Sequence, residues 1–364
     1  MNAAAGSPVV QALRNPPSVL SWTAWQWEML VRQAYSADLL SRIAALLEEL
    51  QLLERVPTAP RARLIAAQRL AQAQAQEVHR EVSQIMKALA RTGVDVVLLK
   101  GAAYLFARLP AAHGRVFSDV DILVPKDALA EVEAALMLHG WASSHLEPYD
   151  QRYYRQWMHE LPPLQHVARA TVLDVHHSIA PPTGRLKPDS NKLLASAVPV
   201  PGHPKLKVLA PADMVLHSAA HLFLNEELSH GLRDLVDIDA LLRHFGAADE
   251  FWTNLHERAA ELDLEAPLAY ALRYTAGILG TPVPSEAGSA ARLAAWRWTL
   301  LDALYLRALR PHHPEAEDSF TPLARQALFV RGHWLRMPPW LLAWHLAVKS
   351  MRRAKPPLSQ QGAR

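Results

Sequence analysis

The chain has 364 residues, half of them hydrophobic, a formal charge of +3 and no cysteine. That length is enough to bury a sizeable core in more than one structural unit, and the lack of cysteine excludes a disulfide framework and any thiolate nucleophile or metal ligand. The small positive charge permits a nucleic-acid partner without arguing for one. No apolar run reaches the roughly 18 residues of a membrane span, and the first residues lack the basic start and apolar core of a secretory signal, so a cytoplasmic protein with no integral membrane segment is expected.

Residues 1–92 read as a helical region. From Ser21 to Val56, Leu, Ile, Trp and Ala recur at spacings of three and four; Pro57 and Pro60 interrupt the pattern, and a second long helix follows to Gly93. The AQAQAQ run at 71–76 consists of good helix formers and reads as a solvated helix face. Residues 93–204 then alternate strands and helices: a strand Val94–Leu99, a helix 102–109 broken by Pro110, a strand from Asp119 to Pro125, and a helix 126–140 closed by Gly140. Further on, Leu164–Ala168 and Thr171–Val175 can pair as a hairpin. The third region, 205–354, opens with a short strand Lys205–Leu209 and a helix 211–224 with Pro211 in its first turn. It continues as helices separated by Gly280, Pro282, Pro284 and the 310–319 stretch. The terminal helix carries Trp340, Leu341, Leu342, Trp344 and Leu346 ahead of Lys349, Arg352, Arg353 and Lys355; docking on its own domain is favoured over a membrane surface. Residues 355–364 are expected to be a disordered tail. The fold class is α+β, a small mixed-sheet core flanked by N-terminal and C-terminal helical regions.

The chemistry concentrates between Val94 and Pro125. Side chains alternate along a strand, so Asp119 and Asp121 share one face, about 7 Å apart, with Val120, Ile122 and Val124 on the other. Two carboxylates so placed repel each other unless a cation is shared. In the later strand, Val172, Asp174 and His176 share a face while Leu173 and Val175 face away, and Asp174 on a neighbouring strand would complete a cation cage. Asp189 and Glu160 are rivals for that third position.

Lys100-Gly101, Arg115 and Ser118 leading into Asp119-x-Asp121, and the later strand ending in LDVHHS together resemble the uncharacterised nucleotidyltransferase family within the DNA polymerase β-like superfamily. The segment 212–242 resembles the helical part these proteins carry after their core, so the resemblance covers about residues 93–245. Many members of the superfamily place Gly-Ser after the first strand; this chain has Lys100-Gly101-Ala102-Ala103, as does the branch it is most similar to. The resemblance implies a nucleotidyltransferase that takes an NTP, releases pyrophosphate and uses Mg²⁺, with Mn²⁺ as a substitute.

Such a transfer is an in-line displacement at the α-phosphorus, and charge develops on the attacking and leaving oxygens. Asp119 and Asp121 would bridge two ions, and Asp174 would hold the one that activates the acceptor hydroxyl and could take its proton. Lys100, with Gly101 allowing close backbone approach, would face the β- and γ-phosphates, and the helix start beside it adds N–H donors. Arg115 and Ser118 are further phosphate contacts. His176 and His177 are candidate ligands or acceptor contacts. His217 and His221 have metal-ligand spacing, but Ser218 stands where the glutamate of an H-E-x-x-H motif belongs, so packing or a nucleotide contact at His221 is favoured over zinc. Arg233 and Asp237 stand four apart on one helix and read as an ion pair at a domain interface.

The acceptor stays open among a small molecule, a protein side chain and an RNA end. An RNA acceptor would call for a basic groove, for which Arg152, Arg155, Arg169 and Arg185 are candidates. Two other readings are a catalytically decayed nucleotide-binding or regulatory partner protein, and a metal-dependent hydrolase in which water replaces the acceptor.

Overall fold

The computed structural model describes residues 7–143, 147–225, 227–284 and 294–344. The N-terminal region is four helices: α1 (Pro8–Arg14), α2 (Ala24–Ser36), α3 (Leu40–Glu49) and α4 (Thr58–Ala88). Thr23 and Gln26 form a reciprocal capping box that starts α2. The continuous helical pattern up to Val56 is broken at Asp38 and Gln51, whose φ angles of 55° and 58° turn the chain where no proline marks the break. In α4 the buried Leu64, Ala71, Val78 and Ile85 recur every seventh residue, which lays one face against its neighbours. The rest of the AQAQAQ run is solvated or partly so.

Seven strands follow: β1 (Val96–Leu98), β2 (Asp119–Leu123), β3 (Trp141–Ser143), β4 (Leu164–His166), β5 (Val172–His176), β6 (Val198–Val200) and β7 (His203–Val208). They form one sheet in the order β3-β4-β5-β2-β1-β7-β6. The β1–β7 and β2–β5 pairs are parallel and the other four antiparallel, so the sheet is mixed and the fold is α+β. The β4–β5 hairpin pairs Leu164 with Leu173 and Gln165 with Val172. The strand expected from Lys205 begins at His203, across the 204/205 boundary drawn from the sequence, and extends the sheet beside β1. Between the strands lie α5 (Lys100–Phe106), α6 (Leu129–Leu138), α7 (Pro148–Trp157) and α8 (Ser190–Ser196).

After β7 come α9 (Pro211–Leu224), α10 (Gly231–Phe245), α11 (Asp249–Glu261), α12 (Glu265–Tyr274), α13 (Ala295–Ala308) and α14 (Thr321–Arg336). Helix α9 is buried along nearly its whole length, because α10, α11, α12 and α14 all pack on it. One continuous apolar core runs from Val9 to Leu328, and each fully buried Leu, Ile or Val in it contributes about 1.5–3 kcal/mol. No helix among the described residues is long and apolar enough to cross a membrane. The apolar-then-basic terminal segment is described only as far as Trp344; its basic residues and the expected tail lie outside the described residues.

Candidate active site

Strands β2 and β5 run parallel in a register that sets Asp119 beside Val172, Asp121 beside Asp174 and Leu123 beside His176. Cross-strand neighbours share a face, so the alternation read from each strand is brought together: Val120, Ile122, Leu173 and Val175 are buried on one side. On the other side Asp119, Asp121 and Asp174 each offer a carboxylate oxygen, all within 4.8 Å of one another. Of the rivals for the third carboxylate, Asp189 instead caps α8 by accepting from the Asn191 amide, whereas Glu160 lies next to the site and belongs to a second cluster with His159 and His176.

Asp121 is 4% exposed and accepts from two groups on the same oxygen, Lys100 Nζ at 2.8 Å and His176 Nε2 at 3.0 Å. Burial pushes its pKa up, but the Lys100 charge and the His176 hydrogen bond win and hold it well below the usual carboxylate range. Burial likewise opposes the charged forms of Lys100 and His176; Asp121 overcomes it, and both are raised. Asp174 has no such partner. Its Oδ1 is buried without a hydrogen bond, and burial followed by the Asp121 and Glu160 charges pushes its carboxyl up to about 7. A cluster of oxygen donors with one orphaned, like-charge-crowded carboxyl has the composition a hard divalent cation requires.

Two cavities meet at this cluster. One, of about 320 Å³, is lined by Lys100, Gly101, Ser118, Asp119 and Asp121 on the sheet side and by Ser218, His221 and Arg233 from α9 and α10. The other, of about 460 Å³, is lined by Asp119, Asp174, Glu160, His159 and His176 together with Tyr153, Tyr154 and Arg336. Lys100 and Asp119 border both. Lys100 begins α5 with φ 46°, a left-handed conformation unusual for a residue with a side chain, and such strain clusters at functional sites.

Several expected site residues have other partners. Arg115 is buried, donates from Nε to Asp237 at 2.7 Å and from Nη1 to the Val116 carbonyl. Its guanidinium packs against Gly101, where a Cβ would stand 2.8 Å from Arg115 Cζ, and both residues line the smaller cavity. Ser118 is exposed and donates to Asp119 at 2.8 Å. Arg233 and Asp237 do not pair with each other. Arg233 turns to Asp234 at 3.0 Å and Asp38 at 3.5 Å, while Asp237 holds Arg42 at 2.9 Å on one oxygen and Arg115 on the other. The expected Arg233–Asp237 pair is therefore absent, and the ion pairs at Asp237 join α3, the β2 approach and α10 instead. Helical spacing alone could not identify partners that arrive from other elements.

Among the described residues no metal-ligand cluster includes His217 or His221. His217 is buried and held neutral by burial, and His221 faces Asp234 at 3.6 Å, on the wall shared by both cavities. His177 is likewise kept neutral by burial. Two of the four candidate groove arginines are paired with acids, Arg155 two-pronged with Glu133 and Arg169 likewise with buried Glu81 while stacking on Trp141; Arg152 bonds Gln156 and Arg185 stacks on Trp334, contacts that leave their charge in place. The sequence reading missed His159, Tyr153, Tyr154 and Arg336. Only the His159-Glu160 pair, two polar residues before Leu161-Pro162, carried a local signal.

A family model described as an uncharacterised nucleotidyltransferase matches residues 23–280. In part the chain is similar to the crystal structure of an antigenic nucleotidyltransferase-like protein from Paracoccidioides brasiliensis, at 12% identity over 61% of this chain and 97% of that one; the TM-score of 0.30 is too low to carry an argument. No curated protein matches the sequence.

Proposed function

Because the chain belongs to the uncharacterised nucleotidyltransferase family, we propose that it moves a nucleoside monophosphate from an NTP to the hydroxyl of a small acceptor, with magnesium held by Asp119, Asp121 and Asp174. The observation that carries this reading is the convergence of those three carboxylates where two cavities meet. Magnesium bound there would lower the pKa of the acceptor hydroxyl and offset charge on the attacking and leaving oxygens. The acceptor oxygen forms a bond to the α-phosphorus as the bond to the β-phosphate oxygen breaks, and pyrophosphate leaves.

The protein groups have separate parts in that displacement. Asp174, which lines the larger cavity, would take the hydroxyl proton as general base. His176 positions Asp121 through its 3.0 Å hydrogen bond. Lys100, released from Asp121, turns to the β- and γ-phosphates in the smaller cavity. The acceptor enters the larger cavity, where Tyr153, Tyr154 and Glu160 offer hydroxyl and carboxylate contacts. That Arg155 and Arg169 are already paired to carboxylates favours a small acceptor over an RNA end. Incubation with labelled NTP, Mg²⁺ and a cell extract tests the reading. Label should transfer to a low-mass product, and Asp119→Ala and Asp121→Ala should each cut transfer by at least about a hundredfold; equal transfer by either variant would sink the mechanism.

A further inference from the structure

We propose that His159, Glu160 and His176 form a second cation site, distinct from the three aspartates, that binds a transition metal of the zinc or cobalt type. One ring nitrogen from each histidine and one Glu160 oxygen lie within 4.8 Å of one another. The three residues meet because the 159–160 segment bridges back onto the end of β5, where Glu160 pairs with His176 and the His177 amide donates to the His159 carbonyl at 2.9 Å.

Two observations separate this cluster from a mere hydrogen-bonded group. His176 Nε2 faces Asp121 at 3.0 Å, while Nδ1 faces Glu160 at 3.3 Å. A carboxylate behind the far nitrogen is the usual outer-sphere arrangement of a metal-bound histidine, and a metal at Nδ1 would displace the proton that nitrogen otherwise shares with Glu160. Two ligands about 2.0–2.1 Å from a tetrahedral ion also stand roughly 3.3 Å apart, the Nδ1–Oε2 separation found here. The second observation is His159: its Nδ1 is buried with no hydrogen-bond partner, and its ring lies 5.3 Å from that of His176.

The surrounding charge also favours a cation. Asp119, Asp121, Asp174 and Glu160 place four carboxylates around the cluster, against the two permanent cations Lys100 and Arg336 that line the same cavity. Nitrogen donors discriminate the two sites: magnesium prefers the all-oxygen aspartates, and imidazole selects zinc, cobalt or nickel. The larger cavity leaves the remaining coordination positions open, as in a site that binds substrate or water.

The test uses the EDTA-treated full chain titrated with Co²⁺ under a large excess of Mg²⁺. One Co²⁺ per chain should bind, with visible absorption from a site of low coordination number, and Zn²⁺ should displace it. His159→Ala and Glu160→Gln should each weaken binding by at least about tenfold. Asp119→Asn should lower nucleotide-dependent Mn²⁺ binding and leave Co²⁺ within about threefold, so failure of this site and failure of the transferase reading give different results. Displacement of Co²⁺ by Mg²⁺, or unchanged affinity in both variants, would overturn the proposal. If either variant proves unfolded by circular dichroism, the wild-type chain decides. Its Co²⁺ form should show exchangeable, paramagnetically shifted imidazole N–H proton resonances, and their absence rejects the site.

Discussion

Two buried aspartates on the same side of the molecule, Asp121 and Asp237, are each held by two basic side chains, yet they differ in kind. Asp237 gives one oxygen to Arg42 and the other to Arg115; Arg42 also donates to the carbonyls of Pro110 and Ala111. One carboxylate there is shared by two guanidinium groups, and the triad joins residues 42, 115 and 237. Asp121 receives Lys100 and His176 on one oxygen, borders two further carboxylates and leaves Asp174 orphaned. A carboxylate shared between cations closes a fold; a surplus of carboxylates is prepared for a cation. The distinction lies in the sign of the excess charge, since burial is nearly equal at 3% and 4% and each cluster has one orphaned buried atom, Arg42 Nε in the first and Asp174 Oδ1 in the second.

That contrast can be broken experimentally, most severely at Asp237. Asp237→Ala leaves two buried guanidinium groups without a carboxylate and should destabilise the chain by about 3–5 kcal/mol, read by denaturant unfolding. The counterpart at the other cluster should have the opposite sign. Burial and the neighbouring acids push the folded Asp174 carboxyl up to about 7 from an ordinary 3.8, so between those values the native state binds more protons than the unfolded one. Its contribution to stability is therefore lost as pH rises through that window. Metal-free Asp174→Asn should accordingly be more stable than the unmodified chain above pH 7, by about 1–3 kcal/mol. The gain should fade as pH drops towards 4, and added Mg²⁺ should stabilise only the unmodified chain. A thermal melt series across pH checks both signs. The smallest effect is expected at Gly101→Ala. Overpacking against Arg115 costs about 1–3 kcal/mol and the gain in helix propensity returns about 1, leaving a net loss of about 1 kcal/mol. The loss should shrink when Asp237→Ala has already freed Arg115, which a double-mutant cycle measures.

The legible and illegible parts of the molecule divide along the same line. Asp119, Asp121 and Asp174 could be read because strand alternation is local and each acid stood out against apolar neighbours on the opposite face. The α+β class followed from the change of period after Gly93. What could not be read was the identity of partners brought by tertiary structure. The pairing of Arg115 with Asp237 carried no local signal, and Arg233 looked like the partner of Asp237 until Arg42 took that place. Arg169, a candidate for a basic groove, clamps Glu81 from α4 instead. His159 and Glu160 reach the site through a single bridge to β5, a contact with no periodic signature.

The parallel pairing of β2 with β5 has a consequence for how such a chain can change over generations. The connection between them carries β3 and β4 of the same sheet and the 159–160 bridge to β5, so insertions in its turns, outside those pairings, alter the cavity wall without moving the acids. Within either strand the opposite holds. Deleting one residue from β5 would slide its pairing with β2 and exchange its faces: Leu173 and Val175 would point at Asp121, and Asp174 would be driven in among Val120 and Ile122. Length variation among descendants of this sequence should therefore collect in the connection and be absent from the two five-residue strands.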